Sequence, residues 1–175
     1  MNAAAVQAGR SARGARIAAM AYALILSLWL GAALFFSLVV ARAAFQVLPS
    51  RSLAGQLVGH TLPALLLAGV VAGILAFWVE LRSTLRSGHR ARLLSSAGVA
   101  ILSEAGNLIT QHVDRLRESA GSGFESLPHA DPIRLAFGRW HVLAVLVLGL
   151  AMLSAAMAMV SAARAMPVYR GDGEP

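Results

Sequence analysis

The sequence predicts an all-α fold, an integral membrane bundle of four helices. Three observations carry this. Hydrophobic residues make up 58% of the 175 and charged residues only 13%, where roughly 25% charged is ordinary for a soluble domain. The mean hydropathy is +0.68. Two uncharged runs of 24 residues, Ile17–Val40 and Trp140–Ala163, each exceed the roughly 20 residues needed to cross a bilayer. Strands are not expected, because the apolar runs are long and lack the alternation of membrane barrels.

The elements run in chain order. Met1–Arg16 is small and polar, with Arg10, Arg13 and Arg16, and is expected to be a mobile tail. Ile17–Val40 is the first span. A secretory signal is the rival reading, since Ala41-Arg42-Ala43 resembles a cleavage site. Its apolar stretch is longer than the roughly 7–15 residues of such a signal, so an uncleaved helix is favoured. Leu48-Pro49-Ser50-Arg51-Ser52 reads as a turn, with Ser50 or Ser52 available to cap the next helix. Pro63 predicts a kink or restart, giving a short amphipathic lead-in near 53–60 and a second span over about 61–79. Gly69 and Gly73, beside Ala72 and Ala76, form a face of small residues that lets a neighbouring helix approach.

Glu80–Arg92 reads as a charged connector with four arginines: Arg82, Arg86, Arg90 and Arg92. The third span, about 93–113, is the least apolar, because Glu104, Asn107, Gln111 and His112 interrupt it. Its apolar residues each favour insertion by roughly 0.3–0.6 kcal/mol, and a central acid costs about 2.5–3.5 kcal/mol. It is expected to insert with its polar stripe buried against the other helices. Asp114–Phe137 reads as the one substantial loop, made flexible by Gly121-Ser122-Gly123. Asp131-Pro132 reads as a helix start, with Asp as cap and Pro at the first helical position. The fourth span covers about 140–163, and 164–175 forms a short tail.

The net charge of +7 comes from fifteen arginines and no lysine. They lie between apolar runs rather than along one face, so the expected partner is the lipid bilayer and not nucleic acid. With four spans, nine arginines fall on the side of the termini and six on the other, whose loop also holds four acids. The excess of positive charge predicts cytoplasmic termini. The chain has no cysteine, which excludes disulfides, thiol catalysis and cysteine-held metals.

Several residues resemble a known family in their order. Leu28-Trp29-Leu30-Gly31-Ala32-Ala33-Leu34-Phe35-Phe36 leads into Phe45-Gln46-Val47-Leu48-Pro49-Ser50. Ala54-Gly55, Leu62-Pro63 and Phe137-Gly138-Arg139-Trp140-His141 come later. This order resembles the transmembrane protein 205-like family, also called domain of unknown function 4149, over about 31–159. The resemblance implies a four-span membrane protein without an established enzymatic activity. Two positions depart from it: Arg42, where bacterial members often carry Pro, and Val142, where a small Gly often follows the His.

The polar residues offer the only candidate sites. Glu104 lies near the expected bilayer midplane, and Asn107 and Gln111 continue its stripe, with Asp114 beyond. An intramembrane acid can relay protons or bind a cation. The plainer reading is a protonated Glu104 hydrogen-bonded to Ser154 or Ser27. Arg42, His60, His112, Arg139 and His141 form an expected cluster at the outer helix ends. Three histidines there suit a metal or haem, or a pH sensor, but interfacial His, Trp and Arg commonly just anchor helix ends. Met152, Met159 and Met166 repeat every seven residues; packing explains them better than a copper path.

No phosphate loop, nucleophile elbow or HExxH is present. The expected function is therefore a non-enzymatic membrane component or accessory protein, multi-pass in the cell (inner) membrane. No cofactor is expected, and the partner is a second copy or another membrane protein. A small transporter or ion relay through Glu104 is the alternative. A metal- or haem-binding protein using His60, His112 and His141 is the third reading.

Overall fold

The computed structural model describes residues 3–83, 88–128 and 130–165. Its α-helices are α1 (Ala3–Phe35), α2 (Ala41–Val47), α3 (Arg51–Leu81), α4 (His89–Ala120) and α5 (Pro132–Ala165). A π-helical turn, Phe36–Val40, joins α1 to α2 in one rod. Four rods are long and apolar enough to cross a membrane: Arg13–Val47, Arg51–Leu81, His89–Ala120 and Pro132–Ala165. Among the described residues there is no strand, and the chain is an all-α bundle suited to a membrane.

Local chemistry sets the helix starts. Ser50 is extended and its hydroxyl accepts from the Leu53 amide at 3.2 Å, capping α3. The Asp131 carboxylate accepts from the Ile133 amide at 2.8 Å at the head of α5. Pro132 is the first helical residue there, where its missing N–H costs nothing. Gly88 precedes α4 with φ of +69°, a left-handed conformation that glycine adopts without strain.

The helices are longer than the sequence alone suggests. The expected tail is helical from Ala3, because its alanines and arginines are strong helix formers. α3 continues unbroken through Pro63. Thr61 Oγ1 donates to the carbonyls of Leu57 at 2.8 Å and Val58 at 3.3 Å just before it, while the carbonyl that Pro63 deprives of its helical donor is that of Gly59. The expected long loop mostly vanishes, since α4 reaches Ala120 and a 3-10 turn holds Gly121–Ser126. The connector before α4 is likewise short, because α3 ends at Leu81 and α4 begins at His89. Arg86, His129 and Met166–Pro175 lie outside the described residues.

The packing order places α4 at the centre of contact. It lies against α3 on one side and α5 on the other, while α1 closes the ring against α3 and, less extensively, α5. Small residues make these approaches close. A Cβ on Gly73 would sit 2.5 Å from the Ala100 backbone nitrogen, and one on Gly69 would sit 2.7 Å from the Trp29 indole and against Ser103. The absent side chain at Gly69 thus admits Trp29, whose Nε1 donates to the Leu65 carbonyl at 3.0 Å. On α5, Ala151, Ala155, Ala158 and Ala162 are buried at spacings of four, three and four, one helical face. Tyr22, Leu26, Trp29, Ala72, Ala76 and Val99 complete the core, with Met152 and Met159 packed at its edge.

Candidate functional site

Three polar features emerge on α4: one at each end and one on its outer face. At its start, Arg92 is 1% exposed and Glu80, in the last turn of α3, is 3% exposed. Arg92 Nε donates to Glu80 Oε2 and Nη2 to Oε1, both at 2.9 Å. His89 Nδ1 stands 2.7 Å from Oε1. This two-pronged geometry matches a guanidinium to a carboxylate and strengthens both bonds. Residues twelve apart in the chain meet here, because α3 and α4 form a tight hairpin. α1 closes the cluster: Tyr22 Oη donates to the Arg92 carbonyl at 3.1 Å and lies 2.9 Å from Ser96 Oγ. A narrow cavity runs between Ala18, Tyr22, Glu80, Arg92 and Ala162.

By sequence, Glu80 and Arg92 read as parts of a charged connector, and this site was missed. A signal was present. A carboxylate at a helix C-terminus and a cation at a helix N-terminus each oppose the helix dipole. Two such misplacements facing one another across a short turn indicate a mutual partner.

At the other end, Arg117 lies between rings, 5.8 Å from the centre of Phe124 and 5.3 Å from that of Phe137. Its guanidinium fills the space left by Gly55, where a Cβ would fall 2.6 Å from Nη2. A Cβ on Gly59, one turn on, would lie 3.3 Å from Asp114 Oδ1. His112 meets Trp140 edge-on at 4.7 Å, and His141 stacks on Phe137 at 6.0 Å. His60 instead bonds its own helix, Nδ1 to the Gln56 carbonyl at 3.1 Å. Arg42 and Arg139 are exposed. The expected outer cluster is therefore not gathered into one site. Among the described residues no three His, Cys, Asp or Glu side chains meet as a metal ion would require, and His60, His112 and His141 each have a different neighbour.

The third feature corrects the expected burial of Glu104. The inner face of α4 is Arg92, Ser96, Val99, Ser103, Gly106, Thr110 and Val113. At about 100° per residue, Glu104 lies about 140° round from Val99 and about 160° from Gly106. It is exposed, as is Gln111, whereas Asn107 and Asp114 are half-buried. The stripe is thus split: its outer half faces away from the bundle and its inner half turns toward the other helices. Neither Ser154 nor Ser27 meets Glu104: Ser27 bonds the Leu24 carbonyl of its own helix, and Ser154 lies beside Gly98.

Fold and features together define a membrane protein whose central helix carries charge at both ends and a polar outer face. The family model for a domain of unknown function (DUF4149) matches residues 24–113, just over half of the chain, and the protein belongs to this family. The match runs from within α1 to the end of the inner face of α4, covering Glu80, Arg92 and Glu104. It stops before Phe137–His141. Comparison with curated proteins and with solved structures finds no match.

Proposed function

We propose that this protein is a non-enzymatic, multi-pass component of a bacterial cell (inner) membrane, with both termini cytoplasmic, that works by pairing with membrane-embedded protein through the outer face of α4. The observation that carries this reading is the exposure of Glu104 at the midpoint of α4. It lies about 22 Å from the helix start at about 1.5 Å per residue, deep in any bilayer the helix crosses. Facing lipid there, an acid costs roughly 2.5–3.5 kcal/mol, and acids within membranes normally face protein or a water-filled space. The arginine balance supports the orientation. The order of Leu62-Pro63 and the later Phe137–His141 supports a place in the transmembrane protein 205-like branch of the family.

The chain's lack of cysteine makes the test clean. Ile101→Cys on the outer face of α4 and Leu146→Cys on α5 are both exposed positions. In native membranes a membrane-soluble maleimide should label Leu146→Cys faster, because protein covers Ile101. Equal labelling overturns the reading.

A further inference from the structure

We propose that the protein covering the outer face of α4 is a second copy of this chain, its α4 lying parallel to the first about a twofold axis. This deepens the reading above and rests on it. The outer face carries Leu94, Ala97, Ile101, Glu104, Leu108, Gln111, Arg115 and Glu118, at spacings that alternate three and four throughout. That alternation is the heptad seam along which two helices wind together. All but Ala97, which is half-buried, are exposed, and Leu94, Ile101 and Leu108 are 74%, 68% and 56% exposed. Ala97 is small, so it lets the two backbones approach near the start of the seam. The inner face of the same helix is already filled by α3 and α5, so the seam belongs to a contact outside the bundle.

The chemistry of the seam selects the partner. In a parallel twofold pair each seam residue meets its own copy, so polar groups there must be self-complementary or find an opposite charge in the neighbouring layer. A carboxyl taken out of water into hydrocarbon is carried in its neutral form, because burying the charge costs far more, and a neutral carboxyl and a carboxamide each carry both a donor and an acceptor. Glu104 and Gln111, seven residues apart, therefore pair with themselves. Neither makes a hydrogen bond or ion pair among the described residues. One turn further, Arg115 and Glu118 occupy neighbouring seam layers, so Arg115 of each copy reaches Glu118 of the other. Within one chain these two form no ion pair. A polar residue buried at one seam position can fix register and number of strands, and hydrogen bonds between helices contribute to association in lipid.

Oxidative cross-linking of single-cysteine variants in native membranes tests this. Disulfides require Cα atoms about 4.4–6.8 Å apart, so Ile101→Cys and Leu108→Cys should each give a species of twice the chain mass. Leu146→Cys on α5 should not. On the Ile101→Cys background, Glu104→Ala should weaken dimerisation roughly 3- to 30-fold, while Glu104→Gln should retain it. Thermal unfolding of each purified variant checks that it is folded. Adducts only with a different protein would overturn the second copy while leaving the membrane-partner reading intact. No adduct, with Ile101→Cys labelled as fast as Leu146→Cys, would overturn both. Undiminished dimers of Glu104→Ala would overturn the role given to the carboxyl pair.

Discussion

Replacing Arg92 with Met removes a buried cation while keeping most of its volume, and the geometry sets the cost. Two hydrogen bonds of 2.9 Å to Glu80 disappear. Each such bond to a charged group is worth about 1.5–3 kcal/mol. The stranded Glu80 side chain is only 4% exposed, so water cannot replace what is lost, and His89 still stands beside it. Removing one partner of a buried pair typically costs about 3–5 kcal/mol, and we expect Arg92→Met to fall in that range. The double variant Glu80→Leu/Arg92→Met strands no charge and should recover most of the loss, because an apolar substitute for a buried pair is often neutral or better. Arg90→Met, at an exposed site in the same turn, should stay within about 0.5 kcal/mol. The assay is reversible unfolding in mixed micelles, followed by helical circular dichroism across a detergent titration. An Arg92→Met variant as mild as Arg90→Met would refute this picture of the pair. So would a double variant no more stable than the worse of the two single ones.

Two further substitutions probe the packing. Gly69→Leu places a side chain where the Trp29 indole and Ser103 already sit. It should cost about 1–3 kcal/mol by overpacking and shift Trp29 fluorescence as the bond to Leu65 breaks. Gly88→Ala forces a left-handed conformation and brings a Cβ to 2.8 Å from Ser161 Oγ. A loss of about 1–2 kcal/mol from the backbone alone, read by the same titration, is expected.

The sequence carried the architecture well because long apolar runs bind a chain to few alternatives. The two uncharged 24-residue runs and the caps at Ser50 and Asp131 lie where the helices put them. The helix ends were less legible. Alanine and arginine extend α1 to Ala3 without any apolar signal, and Pro63 looks more disruptive in a sequence than in a packed helix. Side-chain direction was the harder quantity. Glu104, Asn107, Gln111 and Asp114 share a stripe by spacing, but which way that stripe faces depends on how α4 is rotated between α3 and α5. The inner face proved to be set by Ser96, Ser103 and Gly106, small residues that raise no hydropathy signal. Glu80 and Arg92 were hidden for a related reason: next to exposed arginines, a buried pair and a solvated connector look alike unless the dipole mismatch at both helix ends is weighed.

Everything turns on α4 crossing the bilayer despite its acid. Reporter fusions inserted after Ser83 and after Leu127 measure this most directly, because these sites bracket α4. A cytoplasmic signal is predicted from the first and an external signal from the second. Signals from the same side would mean that α4 never crosses, and would contradict both the four-rod membrane fold and the membrane-embedded partner proposed for Glu104.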